Sequence, residues 1–542
     1  MHRCALPATV AAVLALSACT SFSGSSRGEP DGGPVAAEGA VVTAAPEKLT
    51  LVTDGSPGAL AAATSRALFR SSDVAVLASE GDDAGTLLAA SAAAGLGVPL
   101  LLDGPEAADE LDRLGTGTVL AIGKVSGPDG GPDVVAVPAD AAAVADAAGL
   151  EWAGEEDAGD DPAAAVADLD PSAPVALGGG APADGGASGE LPEVQRGEPL
   201  DGVVVVASGA PEEVAGIATA RAAGARVVLT DGETDPRAVP DVVAAAGEDG
   251  TSSVVVLGSA FADEDGLDWK AETAATGVQL PAGGQTLFPQ SFMVALYGHP
   301  GTGALGVLGE QPLDAAIRRA ERTAAHYDDL VDATVVPAFE VIATVASGSA
   351  GPDGNYSAEA DLEFLRPWVE AAGEAGLYVV LDLQPGRTSF LTQAKDYQPL
   401  LELPYVGLAL DPEWRLAANQ VHLTQIGSVG IDEVNAVVTW LADLTQEKRL
   451  PQKLLVLHQF RLDMLPGRDR LDLSRDELAV MVHADGQGGQ GDKQATWRAL
   501  HAGVQDELWW GWKNFYDEDA PMLTPEQTVA DVSPLPQLIS YQ

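Results

Sequence analysis

Two hydrophobic rhythms divide the chain. In the first, runs of consecutive apolar residues recur without polar alternation: Ser72 to Ser79, Gly97 to Asp103 and Thr118 to Gly123, then Gly202 to Ser208, Ala225 to Asp231 and Ser253 to Gly258. Such runs belong to strands covered on both faces, the parallel-sheet case. Ala-rich helical stretches separate them, one through Ala94 and its counterpart through Ala223. Strand, helix, strand, helix, strand thus occurs twice, which predicts two small parallel α/β repeat layers.

From residue 281 a longer unit takes over, one apolar strand alternating with one amphipathic helix. The pattern predicts strands at Phe292–Leu296, Thr334–Glu340, Tyr378–Leu383, Val406–Leu410, Leu454–His458, Leu478–Val482, Leu508–Lys513 and Gln537–Tyr541. Helices are expected over Asp314–His326, Ser357–Ala375 with Ser357 as N-cap, Ile431–Gln446 and Lys493–Ala502. Thr524-Pro525-Glu526-Gln527 supplies a capping residue, a proline at the first helical position and a glutamine at the third, a helix start before the last strand. The helices after Arg387 and after Val406 are the least regular, because Pro399, Pro404 and Pro412 break the period. Eight strands with helical connections over roughly 260 residues fit a (β/α)₈ TIM-type barrel, about 250 residues in its usual form. The fold class expected is therefore α/β, two repeat layers followed by a barrel.

The first residues carry a different signal. Arg3, an apolar run from Ala5 to Ala15 and Leu16-Ser17-Ala18-Cys19 have the layout of a secretory signal, and the Leu-x-Ala-Cys ending resembles the bacterial lipobox. That resemblance implies cleavage before Cys19 and lipidation of its thiol, a palmitate-type anchor on the outer face of the cell membrane. The apolar run is too short for a span of about 20 residues. Cys4 and Cys19 are the two cysteines of the chain, so processing would leave no free thiol for catalysis or a disulfide. The expected organisation is signal peptide 1–18, a Ser/Gly/Pro/Asp tether 19–47, repeat one 48–152, a low-complexity insertion 153–198, repeat two with its linker 199–280, and the barrel 281–542.

Charge narrows the partners. Lys+Arg 29 against Asp+Glu 80 gives a net charge of −51, a field that repels nucleic acid and anionic headgroups. No nucleic-acid partner is expected. Phrases such as "VLAS…DDAGTLLAASAAAGLGVPLLL…LGTGTVLAIG" resemble the cell-wall-binding repeat type 2 family of Gram-positive surface proteins, over about residues 48 to 262. The resemblance implies a cell-wall polymer or another polysaccharide as partner.

Chemistry in a barrel of this kind gathers at the carboxyl ends of its strands. In strand order these ends offer Tyr297 and His299, Glu340, Asp382, Asp411-Pro412-Glu413-Trp414, His458 and Arg461, His483 and Asp485, Trp510, Trp512 and Lys513, and Tyr541. The barrel resembles those of glycoside hydrolases, which need two carboxyl groups across the scissile bond. Under that resemblance Glu413 is the proton donor, Asp382 or Glu340 its partner and Asp411 a further candidate. Tyr297, His299, Trp414, His458, Arg461, His483, Asp485, Trp510, Trp512 and Lys513 would bind substrate, the aromatics by stacking. Lys513 stands at strand seven, where such glycosidases often carry a glutamate.

Two alternatives stay open: a non-catalytic glycan-binding barrel, and a metal-dependent hydrolase using Asp382, Asp411, His458, His483 and Asp485. No His-x-His or His-Glu-x-x-His spacing supports the latter, and no metal or other cofactor is expected.

Overall fold

The computed structural model describes residues 39–125, 127, 130–178, 187–505 and 507–542. The stretch that resembles a lipobox, Cys19 included, lies outside these residues. Within them the apolar runs of the first rhythm become two four-stranded parallel sheets. One is ordered Leu100–Leu102, Val74–Ala78, Thr118–Ile122, Asp133–Val137, and the other Arg226–Leu229, Val203–Ala207, Ser253–Leu257, Leu49–Val52. Every residue of Val74–Ala78 and Val203–Ala207 is buried, as continuous Val/Ala runs require. The sheets share one core, built from their facing sides and the helices Asp83–Leu96 and Val214–Ala222. Asp83–Leu96 is buried from Leu88 to Leu96 without a polar face, which only an Ala-rich helix packed on all sides tolerates.

The repeat boundaries differ from the sequence pattern in an instructive way. Leu49–Val52 does not open the first layer. It docks as the edge strand of the second, parallel to Ser253–Leu257 with Leu49 beside Val254 and Val52 beside Leu257. It holds there the place that Asp133–Val137 holds beside Thr118–Ile122 in the first layer, so the two repeats interlock. The expected tether ends early: Val41–Thr43 pairs antiparallel with Phe69–Ser72, because two valines and a threonine favour a strand over coil. Part of the expected insertion is also ordered. Asp161 caps the helix Pro162–Ala167, and Ala163, Val166, Ala176 and Leu177 join the shared core.

The second rhythm closes into a barrel of eight parallel strands, β1 (Ser291–Gly298), β2 (Thr334–Ala346), β3 (Tyr378–Leu383), β4 (Val406–Leu410), β5 (Lys453–His458), β6 (Leu478–Ala484), β7 (Trp509–Asn514) and β8 (Leu538–Tyr541). β1 pairs with both β2 and β8, which leaves no free edge. The helix expected from Ser357 begins instead at Leu362 and runs to Glu374. Ser357–Glu359 forms a short strand antiparallel to the extended end of β2, and the buried Ser357 hydroxyl donates to the Gln384 carbonyl at 2.8 Å rather than capping a helix. The irregular connections are short helices Phe390–Asp396 and Gln398–Leu401 after β3, and a 3₁₀ turn Pro412–Trp414 followed by a loop after β4.

The second layer attaches where the barrel strands begin. Gln285 N donates to Arg237 O at 2.7 Å, and Lys270 Nζ donates to Asp476 Oδ2 at 2.5 Å just before β6. Arg449 pairs with Glu272 at 2.9 Å. The opposite mouth, at the carboxyl ends, stays open. Among the described residues no helix is long and apolar enough to cross a membrane.

Candidate active site

The strand period of two builds the site. Inward residues are apolar for two steps and polar at the third: Met293, Ala295, Tyr297 on β1; Val336, Ala338, Glu340 on β2; Tyr378, Val380, Asp382 on β3; Leu454, Val456, His458 on β5; Ala479, Met481, His483 on β6. Trp509, Gly511 and Lys513 continue the rule on β7, and β4 reaches Asp411 one residue past its end. The lower layers form a separate apolar core inside the barrel. Above them sits a layer in which Glu340, Asp382, His458 and His483 are all 0 % exposed.

These side chains hold one another. Tyr297 donates its hydroxyl to Asp382 Oδ2 at 3.0 Å. His458 Nδ1 lies 2.9 Å from Asp485 Oδ2, and its Nε2 lies 2.8 Å from Glu340 Oε1 and 3.8 Å from Asp382 Oδ1. His483 Nε2 lies 3.1 Å from the Ser540 hydroxyl of β8. The Lys513 ammonium rests over the Tyr297 ring, 3.3 Å from its centroid, a cation–π contact strengthened by burial.

Burial and neighbouring charge drive the protonation states apart. Burial pushes Glu340 upward, but His458, His483 and Lys513 outweigh it and hold the carboxyl at about 2. Burial, with the Glu340 charge beside it, lifts Asp382 to about 6 against the pull of His458 and Lys513. Burial raises Asp411 well above the carboxylate range. It also raises Glu413 to about 7, assisted by the charge of Asp485. Asp485 goes the other way, since the hydrogen bond and charge of His458 overcome its burial. His458 is raised because Glu340 and Asp485 outweigh its own burial, whereas burial lowers His483 to about 4.

A cavity of about 640 Å³ opens above this layer, with Tyr297, Asp411, Glu413, Trp414, Asp485 and Lys513 in its wall. Glu340, Asp382, His458 and His483 lie beneath, outside the wall. The other expected residues scatter. Trp510 stacks on His501 at 3.5 Å between centroids, and Trp512 packs edge-on against Trp497. Both alternate outward from Gly511 and Lys513, so they face the helix Gln490–Leu500 rather than the cavity. Arg461 is an exposed partner of Asp463. His299 is half-buried edge-on to Phe364. Tyr541 also faces outward, its hydroxyl 2.6 Å from that of Tyr327. Ser540, Gln384 and Lys493 were not singled out from the sequence. Ser540 orients His483, Gln384 lies in the cavity wall with its amide 3.4 Å from the Tyr297 hydroxyl, and Lys493 lies in the wall while paired with Asp519 at 2.6 Å. Strict period-two counting along β8 would have found Ser540.

No family model matches the chain, and no curated protein matches it. Among solved structures it is similar to Cwp6 from Clostridium difficile, with 12% sequence identity and a TM-score of 0.29 over 68% of this chain. The match covers 66% of that chain, just under two thirds of its length.

Proposed function

We propose that the barrel hydrolyses a glycosidic bond in an envelope or environmental polysaccharide, and that the protein is displayed on the cell surface by a lipid on Cys19. One observation carries the enzymatic reading. Two carboxyl groups, Glu413 and Asp485, share the wall of one cavity while their surroundings push their protonation states in opposite directions. A protonated acid beside an ionised carboxylate is what glycoside hydrolysis needs.

In this mechanism Glu413 delivers its proton to the oxygen of the departing sugar as the glycosidic C–O bond breaks. The Asp485 carboxylate faces the anomeric carbon and takes a proton from the water that forms the new C–O bond there, and its Oδ1 has no protein hydrogen-bond partner. His458 keeps Asp485 ionised and oriented through Nδ1. Trp414, Phe460 and Phe515 in the same wall supply stacking faces for sugar rings. Asp382 and Glu340, the partners expected from the sequence, lie below the wall, and the second carboxyl role passes to Asp485.

The test is product analysis of the full chain against a panel of wall and storage polysaccharides. Released oligosaccharides from the native protein and none from Glu413→Gln support the reading. Binding without products would make the barrel a glycan-binding module, and unchanged turnover in Glu413→Gln would remove it as the acid.

A further inference from the structure

Beneath the cavity, three neighbouring buried side chains carry four unsatisfied atoms. Both carboxylate oxygens of Glu340, Oδ1 of Asp382 and Nε2 of His458 are fully enclosed and have no hydrogen-bond partner. Such atoms are costly unless something fills the space between them. A bare ion pair does not do so. His458 Nε2 and Glu340 Oε1 pair at 2.8 Å without good hydrogen-bond alignment, and that contact leaves Glu340 Oε2 and Asp382 Oδ1 without any partner.

We propose that Glu340, His458 and His483 form a binding site for one first-row divalent cation, with zinc the best match and Asp382 at its edge. Donor atoms of Glu340, His458 and His483 lie within 4.8 Å of one another, and Asp382 Oδ1 is 3.8 Å from His458 Nε2. Zinc bonds nitrogen at about 2.0–2.1 Å and carboxylate oxygen at about 2.0–2.2 Å, which spaces tetrahedral donors about 3.4 Å apart. The 2.8 Å between His458 Nε2 and Glu340 Oε1 and the 4.8 Å limit on the three donors bracket that value.

Supporting contacts complete the pattern. A metal-bound histidine generally gives its other nitrogen to a carboxylate or hydroxyl that fixes the ring. His458 Nδ1 meets Asp485, His483 Nε2 meets Ser540, and Asp382 Oδ2 accepts from Tyr297, leaving Oδ1 free. Mixed imidazole and carboxylate donors suit zinc or manganese, whereas magnesium and calcium prefer all-oxygen sets. The ion takes the place of the His458 proton, which leaves for solvent on binding.

This site is distinct from the proposed acid, so the two ideas separate experimentally. The full chain is stripped with chelator, titrated with zinc or manganese, and its metal content, released protons and melting temperature are measured. One ion per chain is expected, with proton release and a higher melting temperature. Glu340→Gln and His458→Asn should lose stoichiometric binding, and Ser540→Ala, which leaves all three ligands in place, should weaken it about 10-fold. Glu413→Gln should bind normally even where turnover is lost. A folded wild-type chain that binds neither ion would overturn the proposal, as would stoichiometric binding that survives both Glu340→Gln and His458→Asn.

Discussion

Glu413 and Asp485 have the same chemistry and meet different neighbours. Glu413 is half-buried with no positive partner in bonding contact, so it keeps its proton to about 7; Asp485 has His458 at 2.9 Å and loses its proton early. Turnover by this pair needs Glu413 protonated and Asp485 ionised. The rate should therefore hold through mildly acidic pH and fall as pH rises past about 7, where Glu413 ionises, with a second fall at low pH where Asp485 is neutralised. A kcat/KM profile that rises through pH 7 would assign the acid elsewhere. Replacing Glu413 by Gln should cost about 10²–10⁴-fold in kcat, with circular dichroism unchanged. The Lys513 charge pulls the Glu413 pKa downward. Lys513→Met should accordingly move the alkaline limb of the same profile to higher pH, and an unmoved limb would show that the two groups do not communicate.

The barrel strands were legible because period and length agree: an apolar run of five or six residues, bounded by turn residues, recurs eight times with helix-length spacing. The capping box at Thr524 formed as its spacing implied, with both reciprocal hydrogen bonds present. Local signals failed where a distant contact competed. Ser357 has the chemistry of a cap, but its hydroxyl serves the Gln384 carbonyl, and the helix starts only at Leu362, without a side-chain cap. Residue type alone argues for Trp510 and Trp512 in the site, whereas alternation from Lys513 sends them outward. The charged layer itself was visible as one polar residue at each strand end; that Asp485 rather than Asp382 borders the cavity was not, since depth along the barrel depends on strand stagger. Stagger also leaves little room at Gly407 in β4, where an added Cβ would stand 2.6 Å from the Leu454 carbonyl of β5. Gly407→Ala should destabilise the barrel by about 1–3 kcal/mol, read as a lower urea midpoint, and a neutral substitution would mean that β4 and β5 can slide apart freely.

At the scale of the whole molecule, the second α/β layer holds the amino-terminal ends of the barrel strands and leaves the mouth of the cavity open. Lys270 between Glu264 and Asp476, and Arg449 on Glu272, tie the second layer to the barrel. That layer is completed by residues that precede the first layer in sequence, so neither repeat is self-contained. Leu49–Val52 covers Ser253–Leu257, a strand buried along its full length. Replacing residues 49–52 with Gly-Ser-Gly-Ser would turn that strand into an exposed, apolar sheet edge, the kind that pairs with other chains. Amide exchange at 253–257 should then rise sharply while the barrel strands and Val74–Ala78 keep most of their protection, and the protein should begin to self-associate. Because the two sheets share one core, exchange that spreads to Val74–Ala78 but stops short of β1–β8 would make the paired layers a single cooperative unit, with the barrel folding independently above it. Unchanged protection at 253–257 would instead mean that the edge strand contributes nothing, and that each repeat closes without the other's chain.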